Sequence, residues 1–208
     1  MLSELFSNPI SLLLYLLGLV LAVTIHEFSH AFVADYLGDP TARLKGRVTL
    51  NPLAHLDPIG TLMILVAHFG WGKPVPVDPY NFREPKKDSA LTSLAGPISN
   101  LILAFLLSLI LKSPLLSLSP LIPLILIPII IVNVSLAFFN LLPISPLDGF
   151  AIVEGILPDD LARTWHSLKS IGMFLLLFLV IMPGSSALSS IINPPINFVL
   201  KLLLPSLP

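Results

Sequence analysis

Charged side chains are absent from four long runs of the chain: Leu5 to Ile25, Ser89 to Leu111, Ser113 to Leu147 and Ser170 to Leu200, of 21, 23, 35 and 31 residues. About 20 apolar residues span a bilayer as a helix, so each run is long enough to cross. Pro9 fits a first helical turn, where no N–H is needed, and the pattern continues through His26, Glu27 and His30 until Gly38, Asp39 and Pro40 stop it. This predicts a first helix from Pro9 to Leu37. The following stretch, Thr41 to His55, is polar, with Lys45-Gly46 between short alternating pieces, the pattern of a small hairpin or an ordered loop. Pro58 to Phe69 is apolar but short. Its rise of about 18 Å falls below a hydrocarbon core of about 30 Å, so it either enters without crossing or is extended by Trp71.

Trp71 to Phe82 contains three prolines and a Val-Pro-Val alternation, which excludes a helix and predicts an extended, edge-like segment. The next helix is expected over Ser89 to Lys112. The 35-residue run beyond it is interrupted by Pro120, Pro123, Pro128, Pro143 and Pro146, which leaves room for a helix from Ser119 to Asn140. A short helix from Asp148 to Leu157 and two apolar segments, Trp165 to Met182 and Ala187 to Leu204, complete the pattern. The predicted fold class is all-α: a polytopic transmembrane helix bundle of about five to seven membrane segments with a small extended, β-like membrane-associated segment. The expected organisation is one integral-membrane domain over residues 1–208, with a core at 9–157 and C-terminal helices at 158–208.

Composition narrows the function. Hydrophobic residues make up 55% and charged residues 11% of the chain, against about 25% charged in a soluble domain. Eleven basic against twelve acidic residues give a net charge of −1, which leaves no electrostatic footprint for a nucleic acid. With no cysteine, disulfides and thiolate ligands are excluded, so any metal must be held by His, Asp or Glu. The opening apolar run lacks a basic flank and continues into charged residues, as a retained helix does and a cleaved signal peptide does not. Seven of the eleven Lys and Arg residues fall between Gly38 and Asp88, which by the positive-inside rule places that region toward the cytoplasm. A true crossing by the short segment would set its two flanks on opposite sides, against the rule.

His26, Glu27 and His30 stand in the sequence HEFSH. Four residues along a helix separate the two His by about 40° on one face, close enough to chelate one ion. In zinc peptidases this spacing supplies two imidazole ligands, while the Glu beside the first His acts as general base and later protonates the leaving amine. The alternative is two His that only hydrogen-bond within a bundle. Three titratable groups in a membrane helix cost several kcal/mol unless paired, which favours function. A catalytic zinc site uses three protein ligands, and the candidates for the third are His55, His68, His166, Asp57, Glu154 and Asp148. An Asp-Gly pair alone is usually a turn. Only Asp148, however, follows a long apolar run through a helix-breaking approach, and irregular backbone at membrane depth is tolerated where it lines a site. Asp148 is the favoured ligand and Glu154 its rival.

These residues resemble the site-2 protease family of intramembrane zinc metalloproteases, in its small form lacking PDZ and CBS domains. HEFSH matches the family's metal-binding helix, and Asn133 to Gly149 (NVSLAFFNLLPISPLDG) matches its second signature, an Asn-bearing helix running into Leu-Asp-Gly. Further matches are GDPTARLKGRVTLNPLAHLDPIG, GWGKPVPVDPYNF and LAGPISN, so the resemblance covers most of residues 20 to 150. It implies Asp148 as third ligand, one Zn²⁺ per chain, and hydrolysis of peptide bonds within transmembrane segments of membrane proteins. A multi-pass protein of the cell membrane is expected, with the active site reached by water from the basic, cytoplasmic side. The partners expected are transmembrane protein substrates and the lipid bilayer, with no nucleic acid; the oligomeric state has no readable signature.

Asn133 and Asn140 are seven apart, hence on one helix face to within about 20°. They either hydrogen-bond between helices, at about 0.6–2 kcal/mol per contact, or hold the substrate backbone or a tetrahedral oxyanion. Asn140 is the better candidate for the site. Asn100, after Gly96-Pro97, reads as structural. His55 and Asp57 read as turn-capping residues, His68 as packing near the membrane surface beside Phe69 and Trp71, and Glu154 also as a solvated carboxylate on a short helix. The Val75 to Val77 piece offers an edge to an unwound substrate strand, unless its prolines serve only to block aggregation. Two rival functions are a metal-ion transporter, which needs polar sites along several helices, and an inactive scaffold for transmembrane segments. Glu27 speaks against the scaffold, because holding zinc needs only the ligands.

Overall fold

The computed structural model describes residues 8–67, 70–114, 119–181 and 186–204. Its helices are α1 (Pro9–Tyr36), α2 (Thr41–Leu44), α3 (Pro58–Ala67), α4 (Pro85–Leu111), α5 (Leu121–Asn140), α6 (Asp148–Ile156), α7 (Asp159–Ser167), α8 (Lys169–Ile181) and α9 (Ser186–Leu203). Single 3₁₀ turns lie at Pro52–Ala54 and Pro79–Asn81. Among the described residues there is no β-strand, only an isolated antiparallel bridge between Leu56 and Gly72. The expected extended segment is therefore a single strut rather than a sheet.

The start of α1 follows from its sequence: Asn8 caps it by accepting from the Ile10 N–H at 3.0 Å, and Pro9 occupies the first turn. Among the described residues three helices, α1, α4 and α5, are long and apolar enough to cross a membrane. The fourth charge-free run divides into α8 and α9, whose apolar stretches Lys169–Leu179 and Leu188–Leu203 are shorter. Trp165, expected to open an apolar segment, instead belongs to the polar helix α7, because Asp159, Asp160 and Arg163 set that helix apart from α8. Between Thr41 and His55 the chain forms an ordered loop and not a hairpin. Buried Asp39 organises it by accepting from the Thr41 N–H at 3.0 Å, the Asp78 N–H at 2.7 Å and Asn81 Nδ2 at 2.8 Å, which commits these groups to one carboxylate instead of a ladder.

Ten residues of α3 rise only about 15 Å. Its flanks are brought together by the Leu56–Gly72 bridge and by the Lys73 N–H donating to the His55 carbonyl at 2.8 Å. The two flanks of α3 therefore meet at one end of it, which brings the basic residues on either side together. The pair Lys86–Asp159, at 2.8 Å, ties the start of α7 to the start of α4.

At the centre of the bundle α4 packs against α1, α5 and α6. Ala104, Leu111, Ile130 and Val134 form its main core with Ile196 and Leu203 of α9, and a second cluster joins Leu142, Leu147 and Leu176. Leu13, Ile102, Phe105 and Leu124 point outward, as apolar residues facing lipid do.

Candidate metal centre

His26 and His30 are buried on one face of α1. Nδ1 of His30 lies 2.7 Å from the Thr92 carbonyl, which can only accept, so this nitrogen carries the proton. The same logic fixes His26 through a chain of amides. Asn133 Nδ2 donates to the Ile129 carbonyl at 2.9 Å, which turns its Oδ1 toward Asn100 Nδ2 at 2.8 Å. Asn100 Nδ2 also donates to the Ala22 carbonyl at 2.9 Å, so Asn100 Oδ1 is the acceptor for His26 Nδ1 at 2.7 Å. Both rings therefore present a bare Nε2 when neutral. Such outer partners set the tautomer and aim of a ligating imidazole.

The third group arrives from the far end of α5. After Asn140 the chain turns through Leu141 to Leu147, with the Leu147 N–H on the Ile144 carbonyl at 2.8 Å, and delivers Asp148 as the first residue of α6. Its Oδ2 lies 3.1 Å from His26 Nε2 and its Oδ1 3.3 Å from His30 Nε2. Oδ2 is buried and has no hydrogen-bond donor. Two lone pairs set against a carboxylate repel one another unless a positive charge lies among them. Each imidazole faces a different oxygen of the same carboxylate. One ligand atom from each of the three residues falls within 4.8 Å of the others. The donor set, two imidazoles and one carboxylate, fits zinc in a three-ligand site with an open fourth position.

Gly96 of α4 makes this convergence possible. A Cβ there would lie 2.5 Å from His30 Nε2 and 2.6 Å from His26 Cε1, so only glycine lets α4 approach the two rings. Glu27 projects from the same helix, its Oε2 accepting from the Val75 N–H at 3.0 Å with Arg47 Nη2 4.0 Å away. Along the axis of α1, His26 lies about 14 Å and His30 about 8 Å from Asp35, the next carboxylate on that helix after Glu27.

The other sequence candidates fall elsewhere. Glu154 lies 2.9 Å from His166 Nδ1 and away from the cluster, which removes it as rival ligand. Asp57 caps α3 by accepting from the Gly60 N–H at 2.7 Å, and His55 is a buried partner of Arg47. His68 lies outside the described residues. Asn140 is half-buried in the last turn of α5, its Nδ2 on the Leu136 carbonyl at 3.0 Å, whereas Asn133 is fully buried within the amide chain. Asn100 does more than brace the bundle, since it holds His26. Its signal in the sequence was an Asn three residues after Gly-Pro in an otherwise apolar helix.

The fold and this centre define an all-helical protein with long apolar helices, a two-His, one-Asp group that could hold a metal, and a carboxylate, Glu27, next to the first His in sequence. The chain is 41% identical over 203 residues to "Putative zinc metalloprotease YwhC" of Bacillus subtilis, covering 93% of each chain. It is 30% identical over 187 residues to "Putative zinc metalloprotease Rip2" of Mycolicibacterium smegmatis, covering 83% of this chain and 68% of that one. Rip2 of Mycobacterium tuberculosis H37Rv is 31% identical over 173 residues, covering 80% and 66%. No family model and no solved structure matches the chain. The chain belongs to the site-2 protease-like family of zinc metalloproteases that these relatives represent, and zinc is its metal.

Proposed function

We propose that this protein is an intramembrane protease of the cell membrane, one integral-membrane domain that hydrolyses peptide bonds within transmembrane segments of other proteins. The observation that carries the reading is a zinc-type ligand set with its proposed base on a helix long and apolar enough to cross a membrane. His26, His30 and Asp148 hold the zinc, which when bound lowers the pKa of water and polarises the scissile carbonyl. Glu27 takes up a proton at its carboxylate and passes it to the leaving amine nitrogen. Asn100 and the Thr92 carbonyl keep the two imidazoles aimed, and fully buried Asn133 serves the site by holding Asn100. Asn140, half-buried in the turn before Asp148, offers its amide to the substrate backbone or the oxyanion.

A substrate helix has its carbonyls tied in i to i−4 bonds and must unwind before attack, so substrates carry helix-weakening residues near the cut. The basic loops between α1 and α4 share one side, and Arg163 and Lys169 follow Asp159 there, which supports a cytoplasmic orientation of that end. The test is cleavage of a dye-labelled Leu/Ala transmembrane peptide with a central Asn-Gly-Pro, reconstituted with the protein in liposomes. Cuts inside the apolar segment that are abolished by a zinc chelator and restored by zinc are expected. Cuts confined to the flanks outside the bilayer would reduce the reading to a membrane-anchored metalloprotease.

A further inference from the structure

Arg47 is a buried guanidinium whose one ion pair among the described residues is with Glu27, at 4.0 Å. It comes from the loop after α2, where Gly46 at φ +66° turns the chain inward. Arg47 Nη1 donates to the Pro74 carbonyl at 2.9 Å and Nη2 to the Lys73 carbonyl at 2.6 Å. A fixed planar fork suits two carbonyls at once, which an ammonium does not. His55, fully buried, donates from Nε2 to the Thr49 carbonyl at 2.7 Å, and its Nδ1 lies 3.4 Å from Arg47 Nη2. The backbone carbonyl of His55 meanwhile accepts from the Lys73 N–H at 2.8 Å.

The strut held in this way is rigid. Prolines fix φ at positions 74 and 76 and carry no N–H. Val75 therefore supplies the single N–H of the Pro-Val-Pro piece, and that donor is the one on Glu27 Oε2 at 3.0 Å. Loop, strut and base form one chain of contacts from Arg47 to the carboxylate beside the metal ligands.

We propose that Arg47 is a positioning residue for the general base: by clamping the Lys73 and Pro74 carbonyls it holds the Val75 N–H on Glu27 and fixes where that carboxylate sits. The proposal rests on the reading of Glu27 as base. It is tested with the full-length protein in liposomes and the same dye-labelled peptide, measuring kcat, KM and zinc content for Arg47→Gln, Arg47→Lys, Val75→Pro and the Arg47→Gln/Val75→Pro double variant. A displaced catalytic group costs about 100-fold, so Arg47→Gln and Val75→Pro should each lower kcat by about that factor. KM should stay within about 2-fold, since ground-state binding is untouched, and zinc should remain at wild-type content. Arg47→Lys keeps the charge but loses the double clamp, and falls between, at about 10-fold. The double variant should lose no more than the worse single one, because both changes break the same path.

Wild-type kcat in Arg47→Gln, loss of zinc along with kcat, or losses that multiply in the double variant would each overturn the proposal. If Arg47→Gln does not fold, Arg47→Lys and Val75→Pro decide it: wild-type kcat in either overturns it, and reduced kcat with zinc and KM intact in both supports it. Glu27→Gln separates the two levels, since undiminished turnover there removes the base assignment itself, whatever Arg47 does.

Discussion

Replacing Gly96 by alanine places a methyl group between the metal ligands and α4. The added Cβ would lie 2.5 Å from His30 Nε2 and 2.6 Å from Cε1 of each ring, whereas ordinary contact begins at 3.4 Å. Each ring must then retreat by about 0.8–0.9 Å, the difference between those distances, and ligand positions in a metal site tolerate only about 0.2 Å. Neither ring can swivel away without breaking its bond to Asn100 or to the Thr92 carbonyl. Losing one outer-shell partner costs about 10–100-fold in metal affinity. Disturbing two ligands together should reach the upper end, about 100-fold, or about 2.7 kcal/mol. Alanine is meanwhile the better helix former by about 0.8–1 kcal/mol, which offsets part of the strain, so the apo-protein should keep its helix content with a modest fall in melting temperature. Chelator competition on the purified variant measures the zinc Kd, and thermal unfolding with and without zinc measures the linkage. A Kd within about 3-fold of wild type would refute the claim that α4 approaches the rings this closely.

Two further substitutions probe the support of the site. Asn100→Ala removes the acceptor for His26 Nδ1 and strands Asn133 Oδ1; zinc affinity should fall about 10–100-fold in the chelator titration, with a stability loss of about 1–3 kcal/mol in thermal unfolding. Burial pushes the Asp39 carboxyl up, but hydrogen bonds from Thr41, Asp78 and Asn81 outweigh this and hold it below its ordinary value. A folded-state value below the unfolded one means the stabilisation is full above the unfolded pKa of about 3.9 and is lost as pH falls through the folded value. Asp39→Asn should accordingly show a lower melting temperature at neutral pH and a flatter decline below about pH 4 than wild type, and parallel curves would count against this role.

The candidate site residues were legible because their signal is local. HEFSH sets His26, Glu27 and His30 within about one helical turn, and Asp148 follows a proline-broken approach that returns its carboxylate to the two imidazoles. The long spans α1, α4 and α5 were legible from the charge-free runs, to within a few residues. Arg47, Val75 and the full role of Asn100 were not, because each acts through a contact made across the fold: Arg47 lies 20 residues from Glu27 in sequence and reaches it through a strut 26 residues further on. Nor could periodicity decide whether Pro58 to Phe69 crosses. What bears on it is a pairing of its flanks, Leu56 with Gly72, which no local pattern encodes. The helix-breaking approach already set Asp148 ahead of Glu154, and the tertiary pairing of Glu154 with His166 then places the rival away from the cluster.

The central claim is that His26, His30 and Asp148 hold zinc for a reaction in which Glu27 moves the proton. Zinc content by elemental analysis, read beside cleavage of the transmembrane peptide, tests it on wild type, Asp148→Ala and Glu27→Gln. The account predicts one zinc per chain in the wild type, weakened binding in Asp148→Ala, and full zinc with no cleavage in Glu27→Gln. A folded wild type without stoichiometric zinc, or a Glu27→Gln variant that still cleaves, would contradict it.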